Sequence, residues 1–495
     1  MKKNILYIGL LSSVVLGAVS CSKETLTPSP TTSLSDQTAF ATPDRVLGQV
    51  KSVYAGMRSG SFYGGRYIIY NDIRGEDFIN ELTNVVTGYD VWNGTMNNSS
   101  ANSVQSLWAQ AYSTINQANV FIDGMNGGGT AVVGTATATN YIAEARFVRA
   151  VSYYSLLQLY ARPYSDGNGS KPGLPMRLTG NTGAGDYNLA RSTVAQGYQQ
   201  VLDDLNYAET NLPLTYGTAP AAAINNVTRA HRNTAIALKT RVYLSMGKYA
   251  EAITEANKIV SAAPPFTAAT GVPFALQADI TNVFKAPYTT TESVLSMPFN
   301  STTETPGTQN QLGYYFGFNG TGGNGGNGEY SLNASGIIAN TNWTATDRRR
   351  SFVVTNPTNS KKYLLKYTSP SPYVDYSPVM RYSEVLLNLA EARVRSTNTI
   401  DPQAVLLLNA VRNRSDAGTV IIAASFPTPQ ALIDAILLER RIEFLGEGLR
   451  GPDLSRTAQP LPAKSTVAAI PYSAQNYIWP ISAVELQLNK LMTDN

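Results

Sequence analysis

Cysteine and histidine are almost absent from this 495-residue chain: each occurs once, as Cys21 and His231. A single cysteine excludes an internal disulfide framework. A single histidine means that any histidine triad or conventional histidine metal site would have to be built around His231. That residue lies among Arg229, Arg232 and Asn233, with no serine motif or second ligand nearby, so a capping or surface role is expected. Charge is sparse as well. Only 15% of residues are Asp, Glu, Lys or Arg, the formal net charge is +4, and no basic block is present, which argues against nucleic acid as a partner. Nor does any apolar run reach the roughly 20 residues of a membrane-spanning helix.

What is present begins at the N-terminus. Lys2 and Lys3 precede a mostly apolar stretch from Ile5 to Val19, and small residues lead into Cys21 (Leu16-Gly17-Ala18-Val19-Ser20-Cys21). This is how an export signal is built, so residues 1–20 are expected to be cleaved. Cys21 would then carry lipid, several acyl chains giving the stable anchoring that one cannot. The alternative is an ordinary secretory signal with an incidental cysteine. A lone thiol in an oxidising compartment favours lipidation, although Ala18 stands where the lipoprotein pattern usually has leucine. Residues 21–40, rich in Ser, Thr and Pro, read as a flexible tether.

Beyond the tether, helices dominate. In 144–162, Phe147, Ala150, Val151, Tyr154, Leu157 and Ala161 fall on one face, and Pro163 opposes continuation, which predicts an amphipathic helix. Over 233–264, Ile236, Thr240, Tyr243, Gly247, Ala252, Ala256, Ile259 and Pro264 follow the spacing of a 34-residue tetratricopeptide unit. One such unit cannot bury its apolar face alone, so segments 106–125 and 194–212 are expected to stack with it. Asp401-Pro402 and Thr428-Pro429 each combine a capping side chain with a first-turn proline. Between the helical blocks, 264–378 is rich in Thr, Asn, Gly and Tyr, and its glycine run 320–328 reads as a flexible loop. Runs 293–297 and 362–366 read as short strands. The expected organisation is one domain over 41–495, with helical parts at 41–263 and 379–495 flanking a loop-rich, ligand-facing part at 264–378.

Catalytic carboxylate pairs need no motif, so they are the main enzymatic alternative. Glu439, Glu443 and Glu447 share one helical face beside Arg440, Arg441 and Arg450. Carboxylates with adjacent guanidiniums read as an ion-pair network bracing the scaffold.

Four blocks carry a resemblance: Ala145-Arg146-Phe147-Val148-Arg149-Ala150 with Tyr153-Tyr154; Arg241-Val242-Tyr243-Leu244 through Gly247-Lys248-Tyr249; Arg381-Tyr382-Ser383-Glu384 with Ala390-Glu391-Ala392; and Glu439-Arg440-Arg441-Ile442-Glu443-Phe444 with Glu447-Gly448 and Arg450. Together with Trp479-Pro480-Ile481 they resemble the SusD/RagB family of nutrient-binding outer-membrane lipoproteins of Bacteroidetes. The resemblance implies a mainly α fold, a tetratricopeptide-like scaffold of about four helix pairs carrying long loops and small β elements. It also implies a non-catalytic role at the outer membrane, facing outward. The protein would bind oligosaccharides and act as the hinged lid of a TonB-dependent SusC-like transporter. The same lid role for peptides and a glycan-cleaving enzyme remain the alternatives. No cofactor or metal is implied.

Sugar rings stack on aromatic faces beside amides, carboxylates and guanidiniums. Two regions offer such sets. The first holds Arg74, Asp77, Tyr89, Trp92 and Asn93; the second holds Tyr314, Tyr315 and Trp343. Trp92 and Arg74 resemble the early Trp and Arg of glycan-binding family members. For Trp92 the alternative is burial as a core or loop anchor.

Overall fold

The computed structural model describes residues 38–495. The expected signal, Cys21 and nearly all of the tether lie outside the described residues. Among those described, no helix is long and apolar enough to cross a membrane.

Local signals start the helices where the sequence places them. Thr42 caps α1 (Pro43–Arg58), whose first residue is proline. Further along come α2 (Ser106–Gly124), α3 (Thr135–Tyr160) and α4 (Val194–Asn211), the last opened by a reciprocal Thr193–Gln196 capping box. The consensus-like unit is a true helix pair, α5 (Arg232–Ser245) and α6 (Tyr249–Ala256), and Gly247 turns between them at φ +68°. After the loop-rich part follow α7 (Tyr382–Thr397), α8 (Pro402–Ser415) and α9 (Pro429–Glu443). The Asp401 carboxylate accepts from the Ala404 amide at 2.9 Å, and the Thr428 hydroxyl from the Ala431 amide at 3.2 Å.

These helices stack in order, α1 on α2 on α3 on α4 on α5 on α6 on α7, with α8 and α9 closing the array against α7. The stacking corrects one expectation. The α3 helix is amphipathic only at its start. From Ala143 to Tyr160 it is buried on nearly every side because α2 and α4 sandwich it. Its polar groups are accommodated accordingly. Ser152 and Ser155 donate to carbonyls one turn back, and Arg149 makes a bidentate pair with Asp204 at 2.7 and 2.8 Å. His231 takes the N-cap position of α5, in line with the capping role expected, but its ring is fully buried beside Phe274 rather than on the surface.

The strands form small antiparallel pairs mounted on the array: β1 (Phe78–Asn80) with β3 (Tyr330–Leu332), β2 (Ser293–Met297) with β6 (Ser377–Arg381), and β4 (Val353–Thr355) with β5 (Lys362–Leu364). The β2 and β5 strands answer the two strand-like runs, while β6 has no comparable signal. The glycine run forms no regular element, as expected, yet it is packed. It wraps the buried Asn324, whose amide donates to the carbonyls of Gly313 and Tyr367 at 3.0 Å each. A Cβ on Gly326 would stand 2.6 Å from the Gly313 and Gly317 backbone.

Candidate ligand-binding site

The two sequence regions with candidate aromatics do meet, because β1 pairs with β3. Phe78 lies opposite Leu332 and Asn80 opposite Tyr330. Across this junction Phe78 packs on Phe316 at 4.8 Å, and Tyr315 stacks on Tyr330 at 6.1 Å with rings nearly parallel. The meeting is a core, however, rather than an open platform.

Trp92 is 5% exposed, Tyr315 0% and Trp343 2%. None of these three faces is free to receive a sugar ring in this conformation. Trp92 lies on a short helix (Tyr89–Asn93) set between Gly88 and Gly94, both in the left-handed region. These bends aim the indole inward, where its N–H donates to the Phe78 carbonyl at 2.8 Å. A small hairpin, residues 461–470, closes over it through the bridges Leu461–Ile470 and Lys464–Val467. Between Trp92 and the hairpin remains a chamber of about 10 Å³, room for about one water. Trp343 stands apart, covered by the Arg350 guanidinium 4.1 Å from its ring.

Of the other candidates, Tyr314 is half-buried against Tyr373, Tyr89 is half-buried beside Trp92, and Asn93 is half-buried at the end of the same helix. Asp77 is structural. Arg441 donates to both its oxygens, and it also accepts from the Ile337 amide at 2.7 Å. Arg74 is 4% exposed and donates to the Tyr477 carbonyl, and burial pulls its guanidinium below the ordinary value.

The open space lies next door. A groove of about 940 Å³ runs along the β1–β3 edge, past Asn333–Ser335, to the β4–β5 turn at Lys361 and Lys362 on one side and hairpin 461–470 on the other. Its volume suits a ligand of several rings. Lys464 is shared, since it borders both the groove and the Trp92 chamber. Its ammonium donates to the carbonyls of Ile73 and Gly75 and lies 5.6 Å from the Trp92 ring centre. Burial, helped by the adjacent Arg74 charge, pulls Lys464 down to about 7. Sequence reading missed this groove. The adjacent Lys361-Lys362 in a turn was a usable signal; Lys464 had none, because its importance comes from a contact across the fold.

The three carboxylates weighed as catalytic candidates are engaged elsewhere. Glu439 meets Arg349 and Arg412, Glu443 meets Arg349, Arg381 and Arg414, and Glu447 meets Lys366 and Arg381, all between 2.5 and 2.8 Å. The network expectation holds, but its partners differ from those adjacent in sequence. Arg440 turns to Asp453, and Arg441 and Arg450 to Glu76. Burial leaves these carboxylates no face for a substrate.

Residues 313–495 match a family profile described as the SusD family, and residues 45–244 match one described as starch-binding associating with outer membrane. A SusD superfamily protein from Bacteroides fragilis is similar over 92% of this chain and 99% of its own, with 32% identity and a TM-score of 0.80. Another, from Bacteroides thetaiotaomicron, has 22% identity and a TM-score of 0.79 over the same shares. Surface glycan-binding protein A from Bacteroides thetaiotaomicron, solved in complex with laminarihexaose, shares the fold at 19% identity and a TM-score of 0.72, again over 92% of this chain and 99% of its own. Among curated protein sequences none matches.

Proposed function

This chain belongs to the SusD superfamily, and from that premise we propose that it is a surface receptor that binds oligosaccharides in the groove beside hairpin 461–470. Anchored by lipid on Cys21, it hands them to a SusC-like TonB-dependent transporter, over which it acts as a hinged lid without cleaving its ligand. The observation that carries this reading is the 940 Å³ groove lined by polar side chains at the junction of the two candidate regions. The laminarihexaose complex of a relative and the outer-membrane description of the matching profile support it.

Two outcomes test it. Ala339 is exposed and lines the groove, so Ala339→Trp should fill it and weaken oligosaccharide binding at least tenfold, about 1.4 kcal/mol, with the thermal midpoint unchanged. Calorimetry against glycan and peptide pools measures this; heat from peptides alone would defeat the glycan assignment. Separately, Cys21→Ser should move the chain from the membrane to the soluble fraction. If the variant still sediments with outer membranes after a salt wash, the lipid anchor is wrong.

A further inference from the structure

The charges of the groove do not cancel, and the remainder has one sign. Two carboxylates line it, Glu76 and Glu81. Glu76 is held by Arg450 at 2.5 Å and Arg441 at 3.0 Å, and Arg441 also neutralises Asp77 behind it. Glu81 is paired with Lys361. Two cations against Glu76 and Asp77, and one against Glu81, leave no carboxylate of the groove unpaired.

Three basic side chains of the groove and the chamber beside it enter no ion pair among the described residues. Lys362 is exposed on the groove wall and enters no ion pair. Lys464, 5% exposed, enters no ion pair: it donates to two backbone carbonyls and lies over the Trp92 ring, with Glu76 and Asp77 acting on it only from beyond ion-pair distance. Arg74, 4% exposed, reaches one carbonyl, and its Nε has no hydrogen-bond partner. Removing a cation from water without a counter-charge is costly. Several buried guanidiniums elsewhere are matched to carboxylates, as Arg149 is to Asp204 and Arg241 to Glu384. Arg66, 7% exposed and bonded to the carbonyls of Asn102 and Gln309, is a further unpaired guanidinium away from the groove; what sets the groove apart is that unpaired Lys362 and Lys464 both border one open space.

Building on the oligosaccharide-binding reading, we infer that the groove is made for an acidic glycan, one whose rings carry carboxylate or sulfate groups. Such a group set against Lys362 and Lys464, with Arg74 behind, supplies the anion that the protein itself withholds. A positive groove with low-dielectric walls also speeds capture of an acidic chain. Ile79 and Ile338 give the groove some apolar surface for ring faces, but no aromatic ring lines it, so charge and hydrogen bonds would carry more of the affinity than stacking.

The test compares each acidic glycan with its own neutralised form. Oligogalacturonate is titrated against the same oligomer with methyl-esterified carboxyls, and a sulfated galactan oligosaccharide against its desulfated counterpart, alongside neutral glucans. The acidic member of at least one pair should bind tenfold or more tightly than its neutral partner. The gap should shrink as NaCl rises from 50 to 500 mM, and Lys362→Gln, at an exposed site where folding is not at stake, should cost the acidic form about threefold to tenfold. The pair that shows the gap distinguishes carboxylate from sulfate. Equal binding within both pairs, or binding of neutral glucans alone, would overturn the inference while leaving oligosaccharide binding intact. Absence of binding to every glycan would overturn both.

Discussion

Arg381→Met is expected to lower unfolding stability by about 3–5 kcal/mol, the range for breaking a buried ion pair by removing one partner. Arg381 is 2% exposed and donates to Glu292 at 2.5 Å, Glu443 at 2.7 Å and Glu447 at 2.7 Å. The three would suffer unequally. Glu292 keeps Arg414, and Glu443 keeps Arg349 and Arg414, but Glu447 keeps only Lys366. In the parent, burial pushes the Glu443 carboxyl up, yet Arg414, Arg381 and Arg349 together hold it well below the usual carboxylate range; the variant leaves it two of those three guanidiniums, whereas Glu447 is left with one cation. Glu447→Gln added to Arg381→Met should therefore recover part of the loss. Urea unfolding at pH 7 measures both. A single-variant loss below about 1 kcal/mol would show that the network is dispensable.

Between pH 5 and 6.5, His231→Phe and Asp72→Asn should tilt the stability profile in opposite directions, each by about 1 kcal/mol per pH unit on average relative to the parent. Burial pushes the His231 imidazole down to about 3. In this window the unfolded chain binds a proton there that the folded chain refuses, so His231 makes stability fall as the solution is acidified. Asp72 does the reverse. Burial pushes its carboxyl up to about 7, against the lowering effect of the Gly448 and Arg450 amides. The folded chain thus keeps a proton that the unfolded chain has lost above about pH 4, and stability falls as pH rises toward 7. In the parent the two contributions oppose and largely hide each other. Without His231 stability should decline toward neutrality more steeply than in the parent; without the Asp72 carboxyl it should rise. Denaturation midpoints at four pH values decide the matter, and parallel profiles for all three proteins would contradict it.

Much of the scaffold was written in local signals. Asp401-Pro402 and Thr428-Pro429 begin α8 and α9 as capping chemistry requires, and the spacing from Ile236 to Ile259 specifies the α5–α6 pair because two close-packed helices need small residues where they cross. The β6 strand escaped notice because Ser377–Arg381 pairs with residues some eighty positions earlier and carries no period of its own. The site was half legible. Its two regions could be chosen by composition, and they do converge. Which way their rings point could not, since Trp92 turns inward on the angles of Gly88 and Gly94 and is then covered by a hairpin from the far end of the chain.

The sequence by itself determined the family, the stacked helical architecture and the expectation of an exported, lipid-anchored chain, because those rest on motifs and spacings that act within a few turns. The tertiary structure alone decided what the charged residues do. Glu439, Glu443 and Glu447 find their cations on distant segments, while Lys362, Lys464 and Arg74 come to the groove region with none. An ion pair depends on a separation of a few ångströms in space, whatever the distance along the chain, and only the folded molecule shows which charges are left for a ligand.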